Sequence, residues 1–269
     1  MLYLGNNAKH LLRVWFANVR TGLVREMEFR LNFFSGVIRQ LVWLASFVLL
    51  IHVIYLNTNS LAGWTQGQML TLLALSRIIE GISDALFNRN IGNLPEAVNS
   101  GKFDYYLTKP LPAQFHTAFH RFKLLDVGNV LNGLALLIYA FIVEPSTHSL
   151  VSWLIFIVMA LLGITIYYCL QIILVSMTFF LERFDAFIAI SQLLSEPLTV
   201  PFDIFPPGAK TVLTYILPLA FIVFIPAQAL TDRLHLWQLP AAIIITVVLI
   251  QIANITWRAG LRRYSSASS

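Results

Sequence analysis

Charge is what this chain has least of: 12% of its 269 residues are Asp, Glu, Lys or Arg, where an ordinary soluble domain carries about 25%. With 58% hydrophobic residues, that shortage excludes a water-soluble globular domain and points to an all-α integral membrane protein. Cysteine is nearly absent. Cys169 stands alone inside an apolar run, so neither an internal disulfide framework nor a Cys-based zinc site can form within one chain. The formal charge of +5 suggests nucleic acid, yet no run of five like charges occurs, and the excess finds a membrane explanation below. Asn6 to Arg20 lacks the compact apolar core and cleavage site of a secretory signal, so the N-terminus is expected to stay on the mature protein.

Several chemical signatures are missing as well. Ser100-Gly101-Lys102-Phe103 lacks both the upstream glycine and the hydroxyl residue of a phosphate-binding loop, which excludes ATP binding by that route. There is no G-x-S-x-G elbow and no H-E-x-x-H helix, so the common hydrolase signatures are absent. No internal repeat aligns the first three apolar segments with the last three, which argues against an inverted-repeat transporter. Apart from the serine-rich tail Ser265 to Ser269, no low-complexity linker divides the chain. Residues 1–269 read as one membrane domain.

What is present is a series of apolar segments, at about Phe34 to Leu56, Leu61 to Ala85, Lys123 to Val143, Val151 to Leu181, Ala186 to Ile204, Thr211 to Leu230 and Trp237 to Trp257. Each approaches the roughly 20 residues of a bilayer-crossing helix. Seven crossings would put the termini on opposite sides, and the basic residues disagree with that. Six crossings with both termini cytoplasmic place three groups on one side: Lys9, Arg13, Arg20, Arg25 and Arg30; Arg89, Lys102, Lys109, Arg121 and Lys123; and Arg183, Arg258, Arg262 and Arg263. Only Lys210 and Arg233 then lie outside, with Arg39 and Arg77 within spans. The second segment is the least hydrophobic, but without its crossing Arg89 to Lys123 would face outward against that bias.

The surplus segment is expected where prolines gather. Pro197, Pro201, Pro206, Pro207, Pro218 and Pro226 interrupt 186–230, and broken helices at membrane depth require protein or a cavity to satisfy the freed backbone groups. The expectation is one crossing there and a re-entrant hairpin over 211–230 near the outer face. Ahead of the first span, residues 8–31 alternate Leu11, Trp15, Phe16 and Val19 with arginines. They read either as a helix lying on the membrane face or as a soluble helix packed on another subunit.

Ionisable residues inside spans are functional candidates by default. Arg77, Glu80 and Asp84 share one face of the second helix, either facing an aqueous path or forming an intrahelical ion-pair ladder. Glu196-Pro197 places a carboxylate beside a helix break, while Arg39 lies close enough to the interface to snorkel. His116 and His120 stand at i, i+4, a spacing that can serve one metal, but the other histidines are isolated. No metal site is expected.

The stretch Asn99 to Leu111, NSGKFDYYLTKPL, has the punctuation of a shaped loop: Gly101 to end a short helix, Asp104 and two lysines that need water, and Lys109-Pro110-Leu111-Pro112 to force extended backbone. Within it, Gly101-x-x-Asp104-x-x-Leu107-x-Lys109-Pro110-Leu111 is similar to a motif in the cytoplasmic loop of bacterial type-2 ABC exporter permeases, the viologen and drug exporter type. The run Gly260-Leu261-Arg262-Arg263-Tyr264-x-Ser266-Ala267 resembles that family's C-terminal signature. Tyr215-x-x-x-Pro218-Leu219-Ala220 with Pro226-Ala227 resembles its late hairpin.

The resemblance implies six transmembrane helices, an N-terminal interfacial helix (1–32), a cytoplasmic coupling loop with its helix (86–122) and an external re-entrant hairpin (205–235). Charges and prolines had led to the same outline. By that similarity Leu94, Glu96, Ala97, Gly101 and Asp104, with Leu107, Lys109 and Pro110 of the motif, belong to or flank the element that seats in a separate ABC ATPase subunit. The chain then carries no cofactor, ATP and Mg residing on that subunit. It pairs with a second permease chain, related or identical, in the bacterial inner membrane among its lipids. A cationic cargo would favour Glu80, Asp84 and Glu196, beside Arg77, with Trp43, Trp64, Tyr167 and Tyr168 for cation–π contact. Two other classes stay open: a membrane enzyme acting on lipid through His116, His120 and Asp126, and a secondary transporter using the Arg77, Glu80 and Asp84 face.

Overall fold

A computed structural model describes residues 13–22, 24, 30–145, 148–181, 186–231 and 233–264. Among these, every regular element is helical. Four helices are long and apolar enough to cross a membrane, over Phe34–Asn57, Leu124–Val143, Leu150–Phe179 and Gln238–Arg263. They correspond to the first, third, fourth and last apolar segments of the sequence. Helix α1 is Arg30–Asn57, α6 is Leu124–Val143, α7 is Leu150–Ser176 with a 3-10 turn at Met177–Phe179, and α11 is Gln238–Arg263.

The second segment forms α2, Gln66–Ser83. It starts cleanly because Thr65 and Gln68 make a capping box, satisfying two of the helix's orphan donors. Its lower hydrophobicity matches its place at the centre of the bundle, where Leu70, Leu72, Leu73, Leu75 and Ile79 are buried almost completely. Close packing against α6 depends on two glycines: a Cβ on Gly81 would come within 2.7 Å of the Val130 nitrogen, and one on Gly133 within 2.7 Å of the Ala74 carbonyl. Small residues let helices approach where lipid supplies no hydrophobic drive between them. A second pair, α7 with α11, completes the core. α1 lies at the periphery, tied to the start of α6 by the Gln40 side-chain amide, which donates to the Leu125 carbonyl at 3.0 Å.

The proline-rich region is broken throughout. Segment 186–204 is a nine-residue helix α8 (Phe187–Ser195) followed by 3-10 turns at Glu196–Thr199 and Phe202–Ile204. Thr211 to Leu230 forms no single helix: α9 (Pro207–Thr211) widens into a π turn at Val212–Ile216. A 3-10 turn at Leu219–Phe221 and α10 (Phe224–Gln228) then follow. The limb before Pro218 is largely exposed, whereas every residue from Pro218 to Thr231 is buried.

At the other edge, residues 13–22 are helical, with Arg13, Phe16 and Arg20 exposed. The opposite face packs on this same chain: Gly22 sits against the Phe122 carbonyl, and the Asn18 amide reaches the Phe119 carbonyl at 3.5 Å. Lys9, Arg25, Arg183 and Ser265 to Ser269 lie outside the described residues.

Candidate functional site

Between α2 and α6 the chain makes its most elaborate turn. α2 widens into a π turn at Asp84–Asn88, closes with Arg89–Ile91, and gives way to α3 (Leu94–Asn99), α4 (Phe103–Leu107) and α5 (Ala113–Phe119). Pro95 and Glu96 open α3, the proline preset for a first turn and the carboxylate favoured by the helix dipole. At its end the Ser100 N–H donates to the Glu96 carbonyl at 2.9 Å and the Gly101 N–H to that of Val98 at 3.2 Å. Gly101 has φ +72°, the left-handed conformation that a glycine after a helix adopts without a Cβ clash. The motif glycine therefore sets the angle between α3 and α4.

These two helices have an inner and an outer face. Leu94, Ala97 and Phe103 point inward, and Phe103 is fully buried. Its ring lies 5.3 Å from that of Phe179, at the end of α7, and 6.5 Å from Trp257 of α11; Tyr264, just past α11, is 5.1 Å away. Gly260 makes room, since a Cβ there would stand 2.6 Å from the Phe179 ring. Tyr264 also donates from its hydroxyl to Asp104 Oδ1 at 3.0 Å. Burial pushes this phenol up to about 12, reinforced by its hydrogen bond to Asp104, so it remains a donor at physiological pH. The two motifs read from the sequence, 160 residues apart, thus meet in one aromatic hub.

The outer face carries Glu96, Lys102, Tyr105 and Leu107, all exposed. Glu96 and Lys102 approach to 3.9 Å, an exposed pair that holds little energy and leaves both charges available. Lys109 stands over the Tyr105 ring at 4.0 Å, and Pro110 is exposed in the extended step before α5.

A brace that no local pattern announces holds this turn to the bundle. The Asn90 amide donates to the carbonyls of Ala118 and Arg121 at 2.9 and 2.7 Å. Arg89 grips Asp126 with both prongs at 2.5 and 2.6 Å, and Asp126 is 1% exposed. Such a bidentate pair joins the end of α2 to the start of α6. It commits Asp126 to a structural partner, away from the chemistry considered for it with His116 and His120.

The two imidazoles stand 5.6 Å apart between centroids, and both pack on Tyr106. His120 Nδ1 lies 3.1 Å from the His116 carbonyl, a contact that its N–H makes as donor. Burial pulls the His120 imidazole down to about 4, with Arg121 adding to the effect. No group of three His, Cys, Asp or Glu in metal-binding arrangement occurs among the described residues.

Of the charged residues expected within spans, Arg77 pairs with Glu80 one turn on and stacks over Trp43 at 4.0 Å. Asp84 accepts from Asn88 at 2.7 Å and lies 3.8 Å from Arg89. These three form a ladder along one helix, whereas Glu196 is exposed at the start of a 3-10 turn and has no ion pair among the described residues. Tyr167 and Tyr168 pack on Phe87, at 6.3 and 5.2 Å.

At the far end of the bundle a second hub surrounds Trp64, which is fully buried. Its indole N–H donates to Asp203 at 2.8 Å, Lys210 holds the same carboxylate at 2.6 Å, and Arg233 lies over the ring at 4.9 Å. Tyr55 donates to the Trp64 carbonyl at 2.7 Å, and Thr65 donates to Glu144 at 2.5 Å. Sequence reading offered Trp64 only as an aromatic wall for cargo; Asp203 and Glu144 passed unnoticed because their partners are far away in the chain.

A family model described as ABC-2 family transporter protein matches residues 41–268. No curated protein matches the chain.

Proposed function

The chain belongs to the ABC-2 transporter family, and from that premise we propose that it is the permease subunit of an ATP-driven exporter whose α3–α4 turn seats in a separate ABC ATPase. The observation that carries this reading is the division of labour in that turn. Phe103 is locked among Phe179, Trp257 and Tyr264, while Glu96, Lys102, Tyr105 and Leu107 on the opposite side face outward. A displacement applied to the outer face passes through a rigid aromatic contact to the ends of α7 and α11. ATP and Mg act on the partner, and nucleotide-driven closure there shifts the permease between discrete packings.

The proposed topology has six crossings, supplied by α1, α2, α6, α7, the broken segment 187–204 and α11. The basic residues of the α2–α6 connection and of the α11 end support placing that end, with both termini, on the cytoplasmic side of a bacterial inner membrane. α2 spans about 27 Å at 1.5 Å per residue, close to a hydrocarbon core. The broken limbs at 207–231 support an external re-entrant hairpin, with its second limb buried. α1 is apolar and little of it is fully buried, with one face exposed, which supports contact with lipid and with a second permease chain, related or identical. The proposed cargo is a hydrophobic or cationic small molecule, with Glu80, Asp84 and Glu196 in its path and Arg77 as a counter-charge.

Purification of tagged protein in mild detergent, with mass spectrometry of what remains bound, tests the coupling surface. An ABC ATPase is expected to co-purify, and Glu96→Arg with Leu107→Asp to release it, because both side chains are exposed and neither supports the hub. Retention of the ATPase by that double variant would overturn the assignment. For the path, unchanged efflux of a cationic dye by assembled Glu80→Gln and Glu196→Gln complexes would overturn the carboxylate roles.

A further inference from the structure

Behind the coupling turn lies a cavity of about 1030 Å³, walled by helix 13–22, α1, the end of α2, α3–α5 and the start of α6. Six basic side chains line it against two acidic ones. Asp126 is held by Arg89 and Glu96 lies 3.9 Å from Lys102, so the two carboxylates offset at most two of the six cations. Arg39, Arg121 and Lys123 have no carboxylate partner among the described residues and are exposed to the cavity. Cations converging on one open space without counter-charge repel one another, and the arrangement is relieved by an anion.

The walls also select the kind of anion. Phe122, Leu125 and Tyr106 line the cavity beside the charges. The turns of α1 around Arg39 present Phe34, Ile38 and Leu41 outward, and helix 13–22 presents Phe16. Charge at the membrane border with an apolar slope leading away from it fits a molecule with an anionic head and hydrocarbon tails. We propose that this cavity is a binding site for the phosphate headgroup of an anionic phospholipid, held by Arg39, Arg121 and Lys123. The site rests on the membrane reading of the chain; it shares Glu96, Lys102 and Tyr105 with the proposed ATPase seat, whereas Arg39, Arg121 and Lys123 are not part of that seat.

Native mass spectrometry of the detergent-purified full chain tests it with phosphatidylglycerol, phosphatidylcholine and inorganic phosphate as probes. Phosphatidylglycerol is expected to be retained and phosphatidylcholine lost, with retention falling at least about tenfold in Arg39→Gln/Arg121→Gln/Lys123→Gln. Arg39→Lys keeps the charge and is expected to retain the lipid, so the site remains testable if the triple variant folds poorly. Equal retention of phosphatidylcholine would overturn the proposal. So would an equal loss in Arg258→Gln/Arg262→Gln, which removes exposed charge elsewhere. Displacement of the lipid by millimolar inorganic phosphate would identify a soluble phosphate compound as the ligand instead. Co-purification of the ATPase with the triple variant separates this result from any failure of the coupling assignment.

Discussion

The two ends of the bundle solve the same structural problem in different ways. Each gathers irregular backbone around a fully buried aromatic ring, Phe103 at one end and Trp64 at the other, and each adds a hydrogen bond to a carboxylate. At the Trp64 end the polar groups are turned on one another: Asp203 is held by Lys210 and Trp64, and Arg233 covers the ring. At the Phe103 end only the inner face is closed, and Glu96, Lys102, Tyr105 and Leu107 are left outside. The first arrangement is self-sufficient, whereas the second presents a shaped surface on a rigid support. On the proposed reading, that contrast separates an anchoring hub from a transmitting one.

Truncating the central rings breaks both hubs most severely. Phe103→Ala is expected to cost about 3–5 kcal/mol, the usual range for deleting a buried aromatic, and to lower thermal stability in detergent. Trp64→Ala should cost a similar amount. Only Phe103→Ala should also uncouple ATP hydrolysis from transport, and equal uncoupling by Trp64→Ala would erase the distinction. Asp203→Asn, which weakens the grip on Lys210, should cost about 1–3 kcal/mol in a thermal melt and leave ATPase retention unchanged.

The next effect is smaller and backbone-driven. Gly101→Ala places a Cβ at φ +72° and should cost about 1–2 kcal/mol, with weaker ATPase retention because the α3–α4 angle changes. Tyr264→Phe removes one hydrogen bond to Asp104 and should cost about 1 kcal/mol while keeping the aromatic contact.

Mild acid, above the range in which carboxylates titrate, should act at the Phe103 end. His120 is held at about 4, against about 6.5 in an unfolded chain, first by burial and then by Arg121. Between these values the unfolded chain binds a proton that the folded one refuses, so stability falls as pH drops from about 6.5 towards 4. His120→Gln should flatten that part of a melting-temperature profile against pH; an unchanged slope would assign the acid response elsewhere.

Much of the α3–α4 turn was legible because its cues are local. Gly101 followed by Lys102, Asp104 and the Pro110 step announced a capped turn, and the prolines of 186–230 announced broken helices. Charge placement argued only for a crossing by the weakly apolar second segment; the burial of α2 against α6 through Gly81 and Gly133 required the structure. The pairing of Asp104 with Tyr264, of Arg89 with Asp126 and of Trp64 with Asp203 left no trace in any periodicity. Each joins residues from different elements, where only the packed backbone decides which side chains meet.

On the proposed reading, motion of the α3–α4 turn reaches the membrane helices through Phe103. This route is tested most directly by electron spin distance measurement between labels at Val151, beside the start of α7, and Leu236, just before α11; both are exposed at the far end from the turn. With the ATPase bound, ATP and vanadate should change that distance by several ångströms in the native hub, estimated from the scale of helix shifts. In Phe103→Ala the ATPase should stay bound and the change should vanish. The same distance change in Phe103→Ala with the ATPase still bound would rule out Phe103 as the route.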